Sequence, residues 1–211
     1  MTFSICRIKR RRSDISNICM DTVIFYAASG GQEAGLNALR EAVAACYPIG
    51  TSVDESMFCS IFDRHGIPTN GLHLRGDVVY TSLEEDHIRL DCDAAWTPMY
   101  DAYERLAEHF GVSFHLRAEE CGNGIYYNTD MNGTYLPTQY KVCLWERPAD
   151  GPLDALFDVA DGDTDFYFDS DRELLEWFRE RSPIDAATLE ELKGHLDMYC
   201  VSVHEFVNPY R

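Results

Sequence analysis

Cys121 stands between the paired acids Glu119-Glu120 and Gly122, with His115 on the segment before it. A thiol, an imidazole and a carboxylate are the residue types of a cysteine hydrolase, in which the histidine deprotonates the nucleophile. The spacing works against that use. Two carboxylates beside a thiol raise its pKa and keep it protonated. In an alternating segment His115 and Glu119 share one face, so they meet each other more readily than they meet Cys121. His115, Glu120 and Cys121, with Trp96 beside them on the expected sheet, are the residues on which a small cytosolic hydrolase could be built.

Other chemistries find less. Asp161-Gly-Asp163-Thr-Asp165 begins like a calcium loop, but the template then needs glycine where Phe166 stands and glutamate where Arg172 stands. A solvated acidic turn is the better reading. There is no C-x-x-C pair, and His65 with His73, or His115 with Cys121, are the only near pairs for zinc. No metal and no cofactor is expected; a metal-buffering module is the third-ranked reading. Ser29-Gly30-Gly31 joins a strand to a helix but lacks both the dinucleotide glycine pattern and the P-loop lysine.

Charge is the outlying property. The chain has 18 Lys and Arg against 36 Asp and Glu, a net of −18. Five of the basic residues (Arg7, Lys9, Arg10, Arg11, Arg12) lie within residues 1–19, so residues 20–211 carry 13 basic and 35 acidic side chains, net −22. Such a body repels phosphate backbones and anionic lipid and attracts basic protein surfaces. Trp96, Tyr100, Tyr126, Tyr127 and Tyr135 therefore lack the cationic track that stacking on nucleic acid requires. No direct nucleic-acid contact and no membrane contact is expected. The densest acids are Asp158, Asp161, Asp163, Asp165, Asp169, Asp171, Glu173 and Glu176. They read either as a solubilising face or as carboxylates presented where a nucleic-acid enzyme expects phosphates.

The elements that must position these residues are legible from periodicity. Thr22–Ala28 reads as a strand, Glu33–Cys46 as an amphipathic helix stopped before Pro48, and Asp54–Arg64 as a second helix. Asp77–Leu83 and His87–Ala94 read as a hairpin, the latter alternating Ile88, Leu90, Cys92 and Ala94 with polar residues. Thr97-Pro98 suggests a cap and first-turn proline for a helix carrying Met99, Tyr103, Leu106 and Phe110. Val112–Glu119 and Ile125–Asp130 follow as strands across Asn123-Gly124. After a strand Tyr140–Trp145, Glu146–Pro152 reads as linker. Ser170-Asp-Arg-Glu173 and Ser182-Pro-Ile-Asp185 read as helix starts, and Tyr199–Val207 as a last strand. The fold class expected is α+β: a ferredoxin-like antiparallel sheet with helices on one face, plus a small helical and strand extension.

Residues 22–130 resemble the YubB-type ferredoxin-like domain of plasmids, phages and other mobile elements. The carrying residues are Ala94-Ala-Trp96-Thr-Pro98, Tyr103-Glu-Arg-Leu-Ala, Gly111-Val-Ser-Phe and Glu119-Glu120-Cys-Gly122 before an aromatic strand. Trp96, Pro98, Glu120 and Gly122 are the family-pattern residues. The family's Gly-Trp-type segment is represented here only by Arg64-His-Gly66 and the loop after it. The resemblance implies a fold and mobile-element company, not a mechanism.

The division expected is a disordered basic leader at 1–19 with Met20 directly before the first strand, a YubB-like domain at 20–146, and an acidic α+β extension at 147–211. Eight cysteines without a C-x-x-C motif or a signal peptide point to a reducing cytoplasm. The leading functional expectation is a non-enzymatic interaction protein, an acidic DNA mimic that inhibits a host defence nuclease. Its expected partner is a basic protein such as a nucleic-acid-binding enzyme. The small hydrolase is the alternative.

Overall fold

The computed structural model describes residues 17–46, 57–159 and 164–210. The chain divides between Thr129 and Asp130 into two compact units.

The first unit is α+β, built on a five-stranded antiparallel sheet. Its strands are β1 (Ile18–Tyr26), β2 (Gly76–Leu83), β3 (His87–Ala95), β4 (Ser113–Glu120) and β5 (Ile125–Asn128), in the order β2-β3-β1-β4-β5. Helices α1 (Glu33–Cys46) and α2 (Met57–His65) lie between β1 and β2 in sequence, and α3 (Tyr100–Phe110) between β3 and β4. β1 is central, with Val23 opposite both Leu90 and Leu116. One sheet face, carrying Val23, Phe25, Leu90, Cys92, Leu116 and Ala118, packs on Leu39 and Val43 of α1, Phe58 and Ile61 of α2, and Tyr103 and Leu106 of α3. The α1 stripe falls where its spacing predicts, and α1 comes close enough to the end of α3 that position 35 has room only for glycine.

Two expectations need correction here. β1 starts at Ile18 rather than Thr22, and Cys19 is fully buried in the core, so residues 18 and 19 belong to the sheet and not to a leader. Met20 stands inside the strand, opposite Asp93 and Glu119. The rest of the expected leader, and the expected first turns of α2 before Met57, lie outside the described residues. Thr97-Pro98 does not cap α3. That helix begins at Tyr100 after Met99 with no cap from its own flank; the Met99 amide instead donates to Asp21 Oδ2 of β1 at 3.0 Å.

The second unit has a three-stranded antiparallel sheet, β7 (Asp165–Phe168), β6 (Tyr140–Leu144) and β8 (Val201–Glu205), with β6 central. α4 (Asp154–Val159), α5 (Asp171–Arg181) and α6 (Leu189–His195) contribute Leu156, Leu174, Phe178 and Leu192 to a core completed by Val142, Leu144, Phe168 and Val201. The expected boundary after residue 146 is therefore too late. β6 pairs only within the second sheet, because its apolar residues face the C-terminal helices. The residues expected as linker lead directly into α4, whose Asp154 holds Arg147 at 2.6 Å.

The Ser170 cap is present: Ser170 Oγ accepts from Glu173 N at 3.2 Å, and Glu173 reaches back to accept from Asp169 N at 3.0 Å. The second expected cap is misplaced. Ser182 ends α5 by donating to Phe178 O at 2.8 Å. α6 is capped by Thr188, which accepts from Glu191 N at 3.2 Å while Glu191 accepts from Ala187 N at 2.8 Å. Among the described residues no helix is long and apolar enough to cross a membrane, and none of the described cysteines forms a disulfide.

Candidate functional site

The Glu120 turn is built around its carboxylate. Glu120 ends β4 on the helix-facing side, following Leu116 and Ala118, and only 6% of it is exposed. It accepts hydrogen bonds from Gly122 N at 3.1 Å and from Asn123 N. A Cβ on Gly122 would stand 2.9 Å from Glu120 Oε1, so the compact turn favours glycine there. Cys121 is exposed at the tip. Asn123 Nδ2 donates to Trp96 O at 3.4 Å, which brings Trp96, Glu120 and Gly122 to one corner of the sheet, with Pro98 two residues along the chain from Trp96.

Trp96 has φ 73°, an outlier for so bulky a residue. Its amide donates to Asn17 O at 2.9 Å, and the preceding Ala95 amide to Arg75 O at 2.8 Å. The surrounding hydrogen bonds hold the strained residue in place. Its indole is 52% exposed.

His115 does not join this corner. It lies opposite Ile24 on the other face of the sheet, five strand residues before Glu120, about 17 Å away at strand rise. Its ring stacks on Tyr26 at 5.0 Å and 15°, and its Nε2 meets Tyr26 OH at 3.0 Å. The structure brings Glu120 and Cys121 together and leaves the imidazole elsewhere, so the thiol has no base in His115. Glu120 is already engaged by two backbone donors.

A buried acid that pattern reading passed over lies beneath the sheet. Asp21 is 1% exposed on the core face of β1, between Cys92 of β3 and Ala118 of β4. Its carboxylate accepts from Tyr103 OH at 2.7 Å, Met99 N at 3.0 Å and Cys19 Sγ at 3.4 Å. Burial pushes its pKa up to about 6, and the three donors oppose that rise without cancelling it. It anchors the start of α3 to the central strand as an anion at a helix N-terminus. The available signal was its parity: Cys19, Asp21, Val23 and Phe25 alternate onto one face.

In the second unit the acid run divides into carboxylates held by a cation or a helix cap and carboxylates that form no ion pair among the described residues. Asp158 accepts from Arg147 Nη2 at 2.7 Å, Asp165 pairs with Lys141 Nζ at 3.2 Å, and Glu173 serves the α5 cap. Asp169, Asp171 and Glu176 are exposed and form no ion pair among the described residues, though Asp171 Oδ1 accepts from Arg172 N at 2.7 Å. Asp161 and Asp163 lie outside the described residues.

Lys141, also missed, is wholly buried, 5.3 Å from the centre of the Tyr167 ring and opposite His204 in the β6–β8 register. Ser202 Oγ meets His204 Nε2 at 2.8 Å and accepts from Trp145 Nε1 at 2.8 Å. Desolvation first, then Lys141 and Lys193, hold the His204 imidazole below its ordinary pKa, so it is neutral at pH 7. A neutral imidazole on a serine hydroxyl can accept its proton. An open depression of about 200 Å³ in this unit lies away from these residues, lined by Met131, Asn132, Gly133, Pro137, Gln139 and Asp169.

No family model, curated protein or solved structure matches the chain.

Proposed function

We propose that the protein is a non-enzymatic, acidic interaction protein of a mobile genetic element that binds a basic protein in the cytoplasm, as a DNA-mimic inhibitor of a host defence nuclease. The observation that carries this reading is charge left unmatched at the surface. Residues 130–211 hold 18 acidic and 7 basic side chains, net −11. After Asp158, Asp165 and Glu173 are assigned to internal partners, the carboxylates of Asp169, Asp171 and Glu176 still stand in solvent on α5 and the turn before it. Such a surface favours encounter with a cationic partner and makes that encounter salt-dependent.

The first unit is proposed to be a ferredoxin-like domain of the YubB type with β5 added at one edge. The order β2-β3-β1-β4 and the placement of α1 and α3 support that reading, as does the meeting of Trp96, Glu120 and Gly122 at one corner. The hydrolase reading loses the support of geometry, because His115 and Cys121 belong to different places on the sheet.

The test is capture of partners from a bacterial lysate by the tagged full chain, with mass spectrometry across a salt series. A stoichiometric basic protein that leaves as salt rises, and that is no longer retained by the D169N/D171N/E176Q variant, is the expected result. Retention unchanged by both salt and the triple substitution would overturn the electrostatic reading.

A further inference from the structure

Where β6 ends and β8 begins, three large apolar side chains stand in water: Trp145 is 54% exposed, Met198 71% and Tyr199 79%. They are held together by the backbone. The Trp145 amide donates to Cys200 O at 2.8 Å, continuing the pairing of Leu144 with Val201, so the tryptophan lies beside the turn that carries Met198 and Tyr199. That turn is well fixed: Cys200 N and Val201 N donate to Asp197 O at 2.9 and 2.7 Å, and Tyr199 N to Asp197 Oδ1 at 3.0 Å. The edge of the Trp145 ring is fixed by its bond to Ser202 Oγ. Ordered, exposed aromatics contribute little to folding and are the side chains from which binding hot spots are made.

The charge beside them selects the partner. Glu146 and Asp197 are both exposed, and neither forms an ion pair among the described residues. Both act on the Cys200 thiol, whose pKa is raised first by desolvation and then by Asp197 and Glu146, which places the two carboxylates around one residue. The neighbouring cation, Arg147, is taken up by Asp154 and Asp158 at 2.6 and 2.7 Å. The corner therefore offers aromatic faces and uncompensated negative charge together.

We infer that this corner docks an arginine-bearing segment of a basic protein partner, with the guanidinium stacked on Tyr199 or Trp145 and paired with Glu146 or Asp197. A guanidinium suits both halves of the surface: it is planar, weakly hydrated and always charged, whereas an ammonium keeps its water and stacks less well. The inference rests on the reading of the protein as a binder of basic partners, but it places the specific contact on the β6–β8 corner and not on α5.

The probes are fluorescein-labelled octa-arginine and octa-lysine peptides, titrated into the full chain by anisotropy at near-physiological salt. Octa-arginine is expected to bind several-fold more tightly than octa-lysine. Met198→Ser with Tyr199→Ser should weaken arginine-peptide binding about 2- to 30-fold, the range of a cation–π contact, and move lysine-peptide binding less than twofold. Both changes lie in an exposed turn, and Trp145→Leu, which keeps apolar bulk but removes the aromatic ring, gives a second variant expected to show the same selective loss. The D169N/D171N/E176Q protein should lose affinity for both peptides equally. Wild-type arginine binding in the turn variants, or no preference for arginine, overturns the corner while leaving the α5 reading standing. Loss confined to the turn variants supports the corner and removes α5.

Discussion

Protonation of Asp21 should make the first unit more stable as the solution is acidified, against the usual trend for so acidic a protein. In the folded unit the carboxyl is buried and its pKa is raised from 3.8 to about 6; in the unfolded chain it returns to the ordinary value. Between these two values the folded state holds the proton more tightly, so its contribution to stability is fully present below pH 3.8. It is lost as pH rises through about 6. At 1.36 kcal/mol per tenfold, the difference is about 3 kcal/mol. The perturbation that isolates it is Asp21→Asn, which keeps an acceptor for Met99 N and Tyr103 OH but cannot ionise. Urea unfolding of both proteins at pH 4, 5, 6 and 7, read by hydrogen exchange on peptides covering β1 and β3, gives two stability curves. The other carboxylates titrate in both and cancel in the difference. The asparagine variant should gain on the wild type by about 2 kcal/mol between pH 4 and pH 7, since at pH 4 the unfolded carboxyl is already partly ionised. Parallel curves would refute the argument, since they would mean that burial does not disfavour the charge at this position.

The remaining expectations concern packing and caps. Gly35→Ala places a Cβ 1.9 Å from the carbonyl oxygen of Phe110. Even after the gain in helix propensity, it should cost about 2 kcal/mol in urea unfolding of the first unit. Ser170→Ala and Thr188→Ala each remove an N-cap acceptor and should cost about 1 kcal/mol, whereas Ser182→Ala should cost less; equal losses at 170 and 182 would contradict the assignment of the caps. Lys141→Ala should destabilise the second unit by about 3 kcal/mol, because it leaves Asp165 without its cation and empties a fully buried site. Lys141→Met keeps most of that volume and should lose less, as denaturant midpoints would show.

What was legible in the sequence depended on single-element periodicity. The stripe Leu36, Leu39 and Val43 fixes α1, and the alternation Ile88 to Ala94 fixes β3, because each follows from one face of one element being buried. What depended on a partner distant in sequence was not legible. The cap of α3 comes from Asp21, 78 residues before Met99, and local inspection offered Thr97 instead. The membership of β6 in the second sheet depends on strands that follow it, and its apolar run looks the same whichever sheet it joins. Lys141 inside that strand reads as a solvent-facing residue until Asp165 and Tyr167 are seen across from it. For the candidate site, Glu120 and Gly122 were found together because they are adjacent in a turn. His115 falls on the face opposite Glu120, as the alternation of its strand requires, and what the sequence alone did not offer was the Tyr26 ring that holds its imidazole there.

The central position of β1 has a consequence for synthesis. It is the first strand of its sheet to be made, yet Phe25 pairs with Ile88 on one side and Phe114 on the other, 63 and 89 residues later. At 5–20 residues per second, that leaves the apolar segment Thr22–Tyr26 without its neighbours for roughly 3–18 s of elongation. A run of this kind is the sort of strand that recruits other nascent chains. Asp21 sits at its upstream edge, and in the unfolded chain, where its pKa is ordinary, it is ionised. The same carboxyl that opposes the native core through its buried charge thus acts as a gatekeeper during translation, repelling like strands until α3 arrives to take it in.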